Sequence, residues 1–266
     1  NRHQVKQFGH GAQTLLFAHG LACDQKVWRH ITPGFEDQYN IVVFDYIGSG
    51  KSDLTAYDRL KYASLNGYAA DIIAICDALA LNEIIFVGHS VSSMIGMLAA
   101  IDRPDLFSRL IMIGPSPRYI NDRDYCGGFE KKEMEELLSL MRNNYSQWAN
   151  MFAPIAMANP DRPYLIRELT DSFCEADPEI TCDFASLTFL GDNRKDLPNL
   201  KTATLILQIA EDIVAPAQVG DYLHQHVQNS VQYKMKATGH FPHLSAPAET
   251  TELIKKYLKE QGHLPG

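Results

Sequence analysis

Short runs of Val, Ile, Leu and Phe recur along the chain with helix-patterned stretches between them, and this alternation limits the available folds more than any other feature. The runs lie at 14–18, 41–46, 84–87, 110–113, 204–208 and 231–235. They are almost continuously apolar, as strands in a parallel sheet must be when helices cover both faces. Between the second and third runs, Ala69, Ile72, Ile73, Cys76 and Leu79 recur at helical spacing and so share one face of a predicted helix. Residues 91–101, 218–227 and 248–258 carry further helical patterns. Strand and helix in turn, joined by short connections, predict an α/β fold with a mostly parallel, doubly wound sheet.

The alternation stops between about Pro117 and Pro198, where no run reads as a strand. Met134, Leu137, Leu138, Met141, Tyr145 and Trp148 are predicted to share one helix face. Leu165, Ile166, Leu169 and Phe173 share a second, and Ile180, Phe184 and Leu187 a third. Pro154, Pro160, Pro163 and Pro178 punctuate these pieces, each able to end or start a helix. A helical insertion between two strands of such a sheet sits over the strands' carboxyl ends, where α/β sheets bind ligands. The expected organisation is therefore a core in two parts, residues 1–116 and 199–266, with a helical lid at 117–198. An unrelated helical domain is the alternative reading of that insertion.

Lys and Arg total 24 against 32 Asp and Glu, a net charge of −8, and no Lys/Arg-rich run is present. That balance speaks against nucleic acid or an anionic membrane as a partner. No apolar run approaches the roughly 18–20 residues needed to cross a bilayer, and Asn1-Arg2-His3-Gln4 does not begin a signal peptide. The five cysteines (Cys23, Cys76, Cys126, Cys174 and Cys182) are scattered and form no Cys-x-x-Cys pair. They read as free thiols in a reducing cytosol rather than as a zinc site or a disulfide framework, so a cytoplasmic location is expected.

The most specific local signal is Ile84-Ile85-Phe86-Val87-Gly88-His89-Ser90-Val91-Ser92, followed by Ser93-Met94-Ile95-Gly96. A strand, a sharp turn and a helix rich in small residues, in that order, form a nucleophile elbow. Small residues must flank the serine because it is held in a strained conformation and the neighbouring chain packs closely. Gly88 meets the first requirement; at the second, Ser92 stands where G-x-S-x-G has glycine, a departure that is still small enough to fit.

A serine is a poor nucleophile without a base that is itself oriented by an acid. After an elbow of this kind the acid and the histidine follow in that order, each on a loop beyond a strand. Asp212 lies in Ile209-Ala210-Glu211-Asp212-Ile213-Val214-Ala215-Pro216, just past the run at 204–208. His240 lies in Ala237-Thr238-Gly239-His240-Phe241-Pro242-His243, just past the run at 231–235. Glu211 and His243 compete for the same roles. Asp212 is favoured because residues 213–216 lead directly into the next helix. His240 is favoured because it follows a turn-forming glycine, whereas His243 belongs near the start of the last helix. A metal at His240-x-x-His243 or His224-x-His226 would lack carboxylate or cysteine partners at useful spacing, so no metal or organic cofactor is expected.

An oxyanion needs two backbone N–H groups aimed at one point. Val91, just after the serine, supplies one, and Leu21 in Phe17-Ala18-His19-Gly20-Leu21 supplies the other; His19 reads as a buried turn residue. The G-K-S of Gly48-Ser49-Gly50-Lys51-Ser52 is no phosphate loop, because Asp45 stands where that loop needs glycine. It reads as a tight turn closing against the sheet. The ligand pocket is predicted from Leu137, Trp148, Phe152 and Phe189 of the insertion with Leu21 and Ile213 of the core loops. Such walls favour neutral apolar ligands, because a buried ion finds nothing there to replace its hydration.

Three stretches also carry a family likeness. They are Gly88-His89-Ser90-Val91-Ser92-x-Met94-Ile95-Gly96, the D-Y-x-G-S-G-x-S-D run from Asp45 to Asp53, and Ser116-Pro117-Arg118-Tyr119-Ile120-Asn121-Asp122 with Gly127-Gly128-Phe129-Glu130. Together they resemble the RsbQ-type α/β hydrolases, which include a bacterial regulator of the general stress response and the plant karrikin and strigolactone receptors. The likeness runs nearly end to end, and Asn159-Pro160-Asp161-Arg162-Pro163 is closer to the bacterial branch. It implies an α/β-hydrolase fold with a helical lid, a Ser90–His240–Asp212 triad, and Leu21 and Val91 at the oxyanion hole. It also implies slow hydrolysis or sensing of a small apolar ester or lactone, with a signalling protein as a partner. Leu21 departs from the pattern, since relatives carry Phe there, which implies a roomier pocket wall. The two expectations are thus a serine hydrolase and a ligand-sensing signalling protein.

Overall fold

The structure is a computed structural model that describes residues 2–262. Seven strands form one sheet: β1 Lys6–Gly9, β2 Thr14–Ala18, β3 Asn40–Val43, β4 Ile84–His89, β5 Phe107–Ile113, β6 Ala203–Gln208 and β7 Ser230–Lys234. Their spatial order is β1-β3-β2-β4-β5-β6-β7. All neighbours are parallel except β1, which runs antiparallel along β3. One row of paired residues crosses the sheet through Val43, Phe17, Val87, Ile111, Leu205 and Val231. The parallel register sends the carboxyl ends of β2, β4, β5, β6 and β7 to the same edge.

The predicted strands are present with shifted ends. β3 stops at Val43 because the chain then leaves the ladder: the Asp45 carboxylate accepts from the Gln25 and Lys51 amides at 2.9 and 3.1 Å, and Asp45 N donates to His3 O. β1 carries no apolar run, as suits a short, half-exposed edge strand whose inner neighbour supplies the pairing.

Successive residues on each strand enter different cores. Leu15, Phe17, Val87, Ile111 and Leu205 join one, while Leu16, Phe86, Met112 and Ile206 join the other. The second core is closed by helices α1 (Leu65–Ala78) and α2 (Val91–Asp102), with Ile72, Cys76, Met94 and Ile95 turned inward. Between β5 and β6 the chain forms α3 (Lys131–Asn143), α4 (Tyr145–Met157), α5 (Pro163–Glu175) and α6 (Pro178–Leu190). After β6 come α7 (Ala217–His226), the short α8 (Pro242–Ser245) and α9 (Pro247–Glu260). Val219 and Leu223 of α7 pack in the core of α1 and α2; Ile254 and Leu258 of α9 pack in the opposite one.

The single helix face drawn from Met134 to Trp148 is broken at Asn144 (φ −152°, ψ 81°), whose side chain caps α4 by accepting from Gln147 N at 3.0 Å. Pro163 and Pro178 each open a helix, but Pro154 lies inside α4. The turn at 45–52 packs Tyr46 and Ile47 into the same core as Leu16, Val42 and Phe86 of the sheet, and also closes against α6. Gly48 has φ +93°, a Cβ there would fall 2.3 Å from Ile180 Cγ2, and Asp177 N donates to Gly48 O.

Candidate active site

Ser90 joins β4 to α2 with φ 57° and ψ −124°, a left-handed conformation for a non-glycine residue, and its amide donates to Ile113 O of β5 at 2.8 Å. The turn tolerates no bulk beside it: a Cβ on Gly88 would fall 2.7 Å from Ser92 O. Ser92 is buried. Its hydroxyl donates to His19 O and lies 3.0 Å from the Tyr46 hydroxyl. The residue that departs from the usual glycine therefore ties the elbow to the loop that carries Leu21.

From Ser90 Oγ a line of short contacts runs outward. His240 Nε2 lies 2.8 Å from Ser90 Oγ, and His240 Nδ1 lies 2.7 Å from Asp212 Oδ2. The other oxygen of Asp212 accepts from Val214 N at 2.8 Å and Ala215 N at 3.1 Å. A carboxylate held in this way accepts a hydrogen bond from Nδ1–H, which keeps the proton on that nitrogen and leaves a lone pair on Nε2 aimed at the serine. The loop that carries His240 is anchored on the end of α4. His240 N donates to Ala156 O at 2.7 Å, and a Cβ on Gly239 (φ +82°) would strike Met157 O at 1.9 Å. Asn159 Nδ2 closes the joint by donating to Met157 O and Thr238 O.

The competing candidates lie elsewhere. Glu211 is exposed and bridges to Thr238 through its backbone. His243, in α8, is fully buried, with its ring 4.8 Å from that of Trp28 and 4.4 Å from that of His89. Burial pushes its pKa down to about 3, so it is neutral. His89 is neutral for the same reason, and its Nε2–H donates to His240 O at 2.7 Å. His19 is a buried turn residue: Nδ1–H donates to Gly20 O and Nε2 accepts from Tyr46 N.

Val91 is the first residue of α2, where an amide has no carbonyl of its own helix to bond and the helix dipole favours negative charge. Leu21 lines the cavity in front of Ser90, and its loop approaches the elbow so closely that a Cβ on Gly20 would meet His89 Nδ1 at 2.6 Å.

That cavity is walled by Leu21, Trp148, Phe152, Phe189, Phe173, Phe241 and Val214, with Thr188, His89 and His240 beside them. Two predicted wall residues are not part of it. Leu137 of α3 is half-buried against the core, and Ile213 is 56% exposed while its neighbour Val214 turns inward. Phe173 was visible as a helix-face residue, but only the packing of α5 on α4 brings it against Trp148, at 5.2 Å between ring centres. Thr188 is not a free donor, since its hydroxyl bonds Phe184 O at 2.8 Å. The free space is about 20 Å³, little more than one water molecule. A roomier groove of about 580 Å³ opens near Lys26, Arg29, Glu168 and Glu175 and does not reach Ser90. Among the described residues no group of three His, Cys, Asp or Glu side chains could hold a metal ion.

Residues 15–253 match the Alpha/beta hydrolase family, and the chain belongs to that family. Among its relatives, the Karrikin insensitive 2 receptor CA of Petunia hybrida is 38% identical over 257 residues, covering 96% of this chain and 95% of the relative. A strigolactone esterase of Arabidopsis thaliana is 38% identical over 255 residues, covering 96% and 95%. The solved structure of a hydrolase from Oleispira antarctica has a TM-score of 0.94 at 41% identity, covering 97% of this chain and 95% of that one. The α/β-hydrolase fold expected from the sequence is the fold of this protein. No helix among the described residues is long and apolar enough to cross a membrane.

Proposed function

We propose that this protein is a serine hydrolase of small, neutral, apolar esters or lactones, in which turnover is slow and coupled to signalling. The observation that carries the reading is the line Asp212–His240–Ser90, with contacts of 2.7 and 2.8 Å, ending in an apolar cavity. Ser90 Oγ attacks the carbonyl carbon while His240 Nε2 takes its proton, and Asp212 holds the imidazole in the required tautomer. The amides of Leu21 and Val91 receive the developing oxyanion. As the tetrahedral intermediate collapses, His240 returns the proton to the leaving oxygen; water then repeats the sequence on the acyl-enzyme. Each step uses protein groups and water.

The walls favour apolar acyl or lactone groups, which gain about 25 cal/mol per Å² buried, over ions that lose hydration with no compensation. The five unpaired cysteines suit a reducing cytoplasm. Residues 117–198 act as the lid on a core of 1–116 and 199–266, and the likeness at 159–163 favours the RsbQ-type bacterial branch.

A second reading, a ligand sensor in which hydrolysis is secondary, draws on the cavity's size. A space of about 20 Å³ admits no ester unless the α4–α6 aromatics move, so occupancy would alter the surface offered to a protein partner. The names of the relatives pair the same two ideas, receptor and esterase.

Ser90→Ala tests the mechanism. It should keep the fold, since alanine fits the turn, and lose turnover across a panel of acyl esters and butenolides. Activity near wild type in that variant would overturn the proposal. On the same panel, fast multiple turnover favours the metabolic enzyme, and a large thermal shift with near-single turnover favours the sensor.

A further inference from the structure

Outside the proposed triad, one more polar group stands at the nucleophile. The Tyr119 hydroxyl lies 3.4 Å from Ser90 Oγ. Its side chain is buried, with the ring edge-on to Phe189 at 5.2 Å, and its backbone is held by Phe129 N donating to Tyr119 O at 3.1 Å. At 3.4 Å this hydrogen bond is long for an O–H···O contact, so Ser90 holds the phenol only weakly. Ser90 is already engaged with His240 at 2.8 Å. A buried hydroxyl lacking a short partner is costly in an apolar site, and it is ready to bond an atom that a ligand brings.

Sheet order decides which atom that is. β2 and β5 flank β4 on opposite sides. Leu21 follows β2, on the side of the proposed oxyanion hole. Tyr119 follows β5, on the side from which Asp212 and His240 arrive. The same connection touches the base, since a Cβ on Gly114 would lie 3.3 Å from His240 Cε1. A substrate with its carbonyl oxygen toward Leu21 and Val91 presents its leaving oxygen toward His240, and therefore toward Tyr119.

Resting on the Ser90–His240–Asp212 reading, we propose that Tyr119 is a further catalytic residue, whose hydroxyl donates a hydrogen bond to the leaving-group oxygen as the acyl carbon–oxygen bond breaks. In that step the Ser90 Oγ–carbon bond has formed, the bond to the leaving oxygen breaks, and that oxygen takes the proton from His240 Nε2. Tyr119 keeps its own proton throughout. Burial pushes the phenol up to about 12, which suits a neutral donor rather than a proton shuttle.

The test is the leaving-group dependence of kcat/KM in Tyr119→Phe, measured on acetate esters running from p-nitrophenyl to simple alkyl. A poor leaving group develops more negative charge and needs the donor more. The alkyl esters should lose roughly 10- to 100-fold, as befits a hydrogen bond to a charged oxygen, and the p-nitrophenyl ester should be little changed. Tyr119→3,5-difluorotyrosine, which keeps the ring and strengthens the donor, should flatten the dependence. A uniform loss along the series, or none, would make Tyr119 a packing partner of Phe189 and overturn the inference. Ser90→Ala separates the two failures: if it stays active the triad reading falls, and if it is dead while the Tyr119→Phe series is flat, only the role of Tyr119 falls.

Discussion

At the residue scale, two histidines three positions apart have opposite surroundings. His240 has each ring nitrogen in a short contact, one with Asp212 and one with Ser90. Among the described residues His243 has a hydrogen-bond partner on neither nitrogen, and it lies against the Trp28 ring. His240→Ala should therefore lower kcat/KM by several orders of magnitude, as loss of a triad member does. His243→Ala should leave turnover within a few-fold and cost stability instead, about 2–4 kcal/mol for an aromatic-sized void. Steady-state kinetics and thermal denaturation of the two variants check this, and equal kinetic losses would leave the base unassigned. Ser92 makes a related point: the hydroxyl that breaks the G-x-S-x-G pattern has two buried partners, His19 O and the Tyr46 hydroxyl, so the turn gains a tie where glycine would give only space.

At the scale of elements, the insertion both covers Ser90 and holds His240, because the end of α4 receives the His240 amide while Trp148 and Phe152 of the same helix wall the cavity. The stop at Asn144 separates α3 from α4 and sets their residues apart in function. Phe189 of α6 faces the cavity and Leu137 of α3 does not. Phe189→Ala should then shift kcat/KM toward bulkier acyl groups, while Leu137→Ala should leave the ranking of substrates unchanged. A homologous ester series with both variants decides it. Equal shifts would mean that α3 and α6 line the site together, and a preference for carboxylate- or phosphate-bearing substrates would sink the apolar-pocket argument.

For the whole molecule, burial of neutral histidines sets a weakness to acid. His243 is pushed down to about 3, and His89 and His19 are also lowered, in each case chiefly by desolvation. The unfolded chain protonates these rings near 6.5, whereas the folded protein resists doing so. Below that pH the unfolded state binds more protons, so stability is full above about 6.5 and falls as the pH drops toward 3. The slope approaches roughly 1.4 kcal/mol per pH unit for each such histidine. Thermal melts should give a nearly flat Tm from about pH 8 to 6.5 and a decline below. His243→Phe, which keeps a ring against Trp28, should make the decline shallower. An unchanged slope would mean that this histidine is not buried neutral.

What was legible in the chain was local. Nearly unbroken apolar runs marked five of the six parallel strands and the alternating Val231-Gln232-Tyr233-Lys234-Met235 the sixth, a glycine before Ser90 and small residues after it marked a strand–turn–helix elbow, and the glycine before His240 marked a tight loop beyond the last strand. Those signals depend on sterics within a few residues, so the three residues that meet in space, their order and their loops could be read before any packing was known. The edge strand β1 could not, because its pairing is supplied by β3 rather than by its own half-exposed residues. The cavity wall could not either. Whether Val214 or Ile213 turns inward, and whether Phe173, Phe241 and Thr188 stand beside Ser90 in place of Leu137, depends on how α3–α6 pack over the sheet. Tyr119 gave no signal as a tyrosine in a loop; only the side-by-side placing of β4 and β5 brings its hydroxyl to the serine. Apolar periodicity says that a side chain is buried, and the tertiary arrangement of helices decides against what.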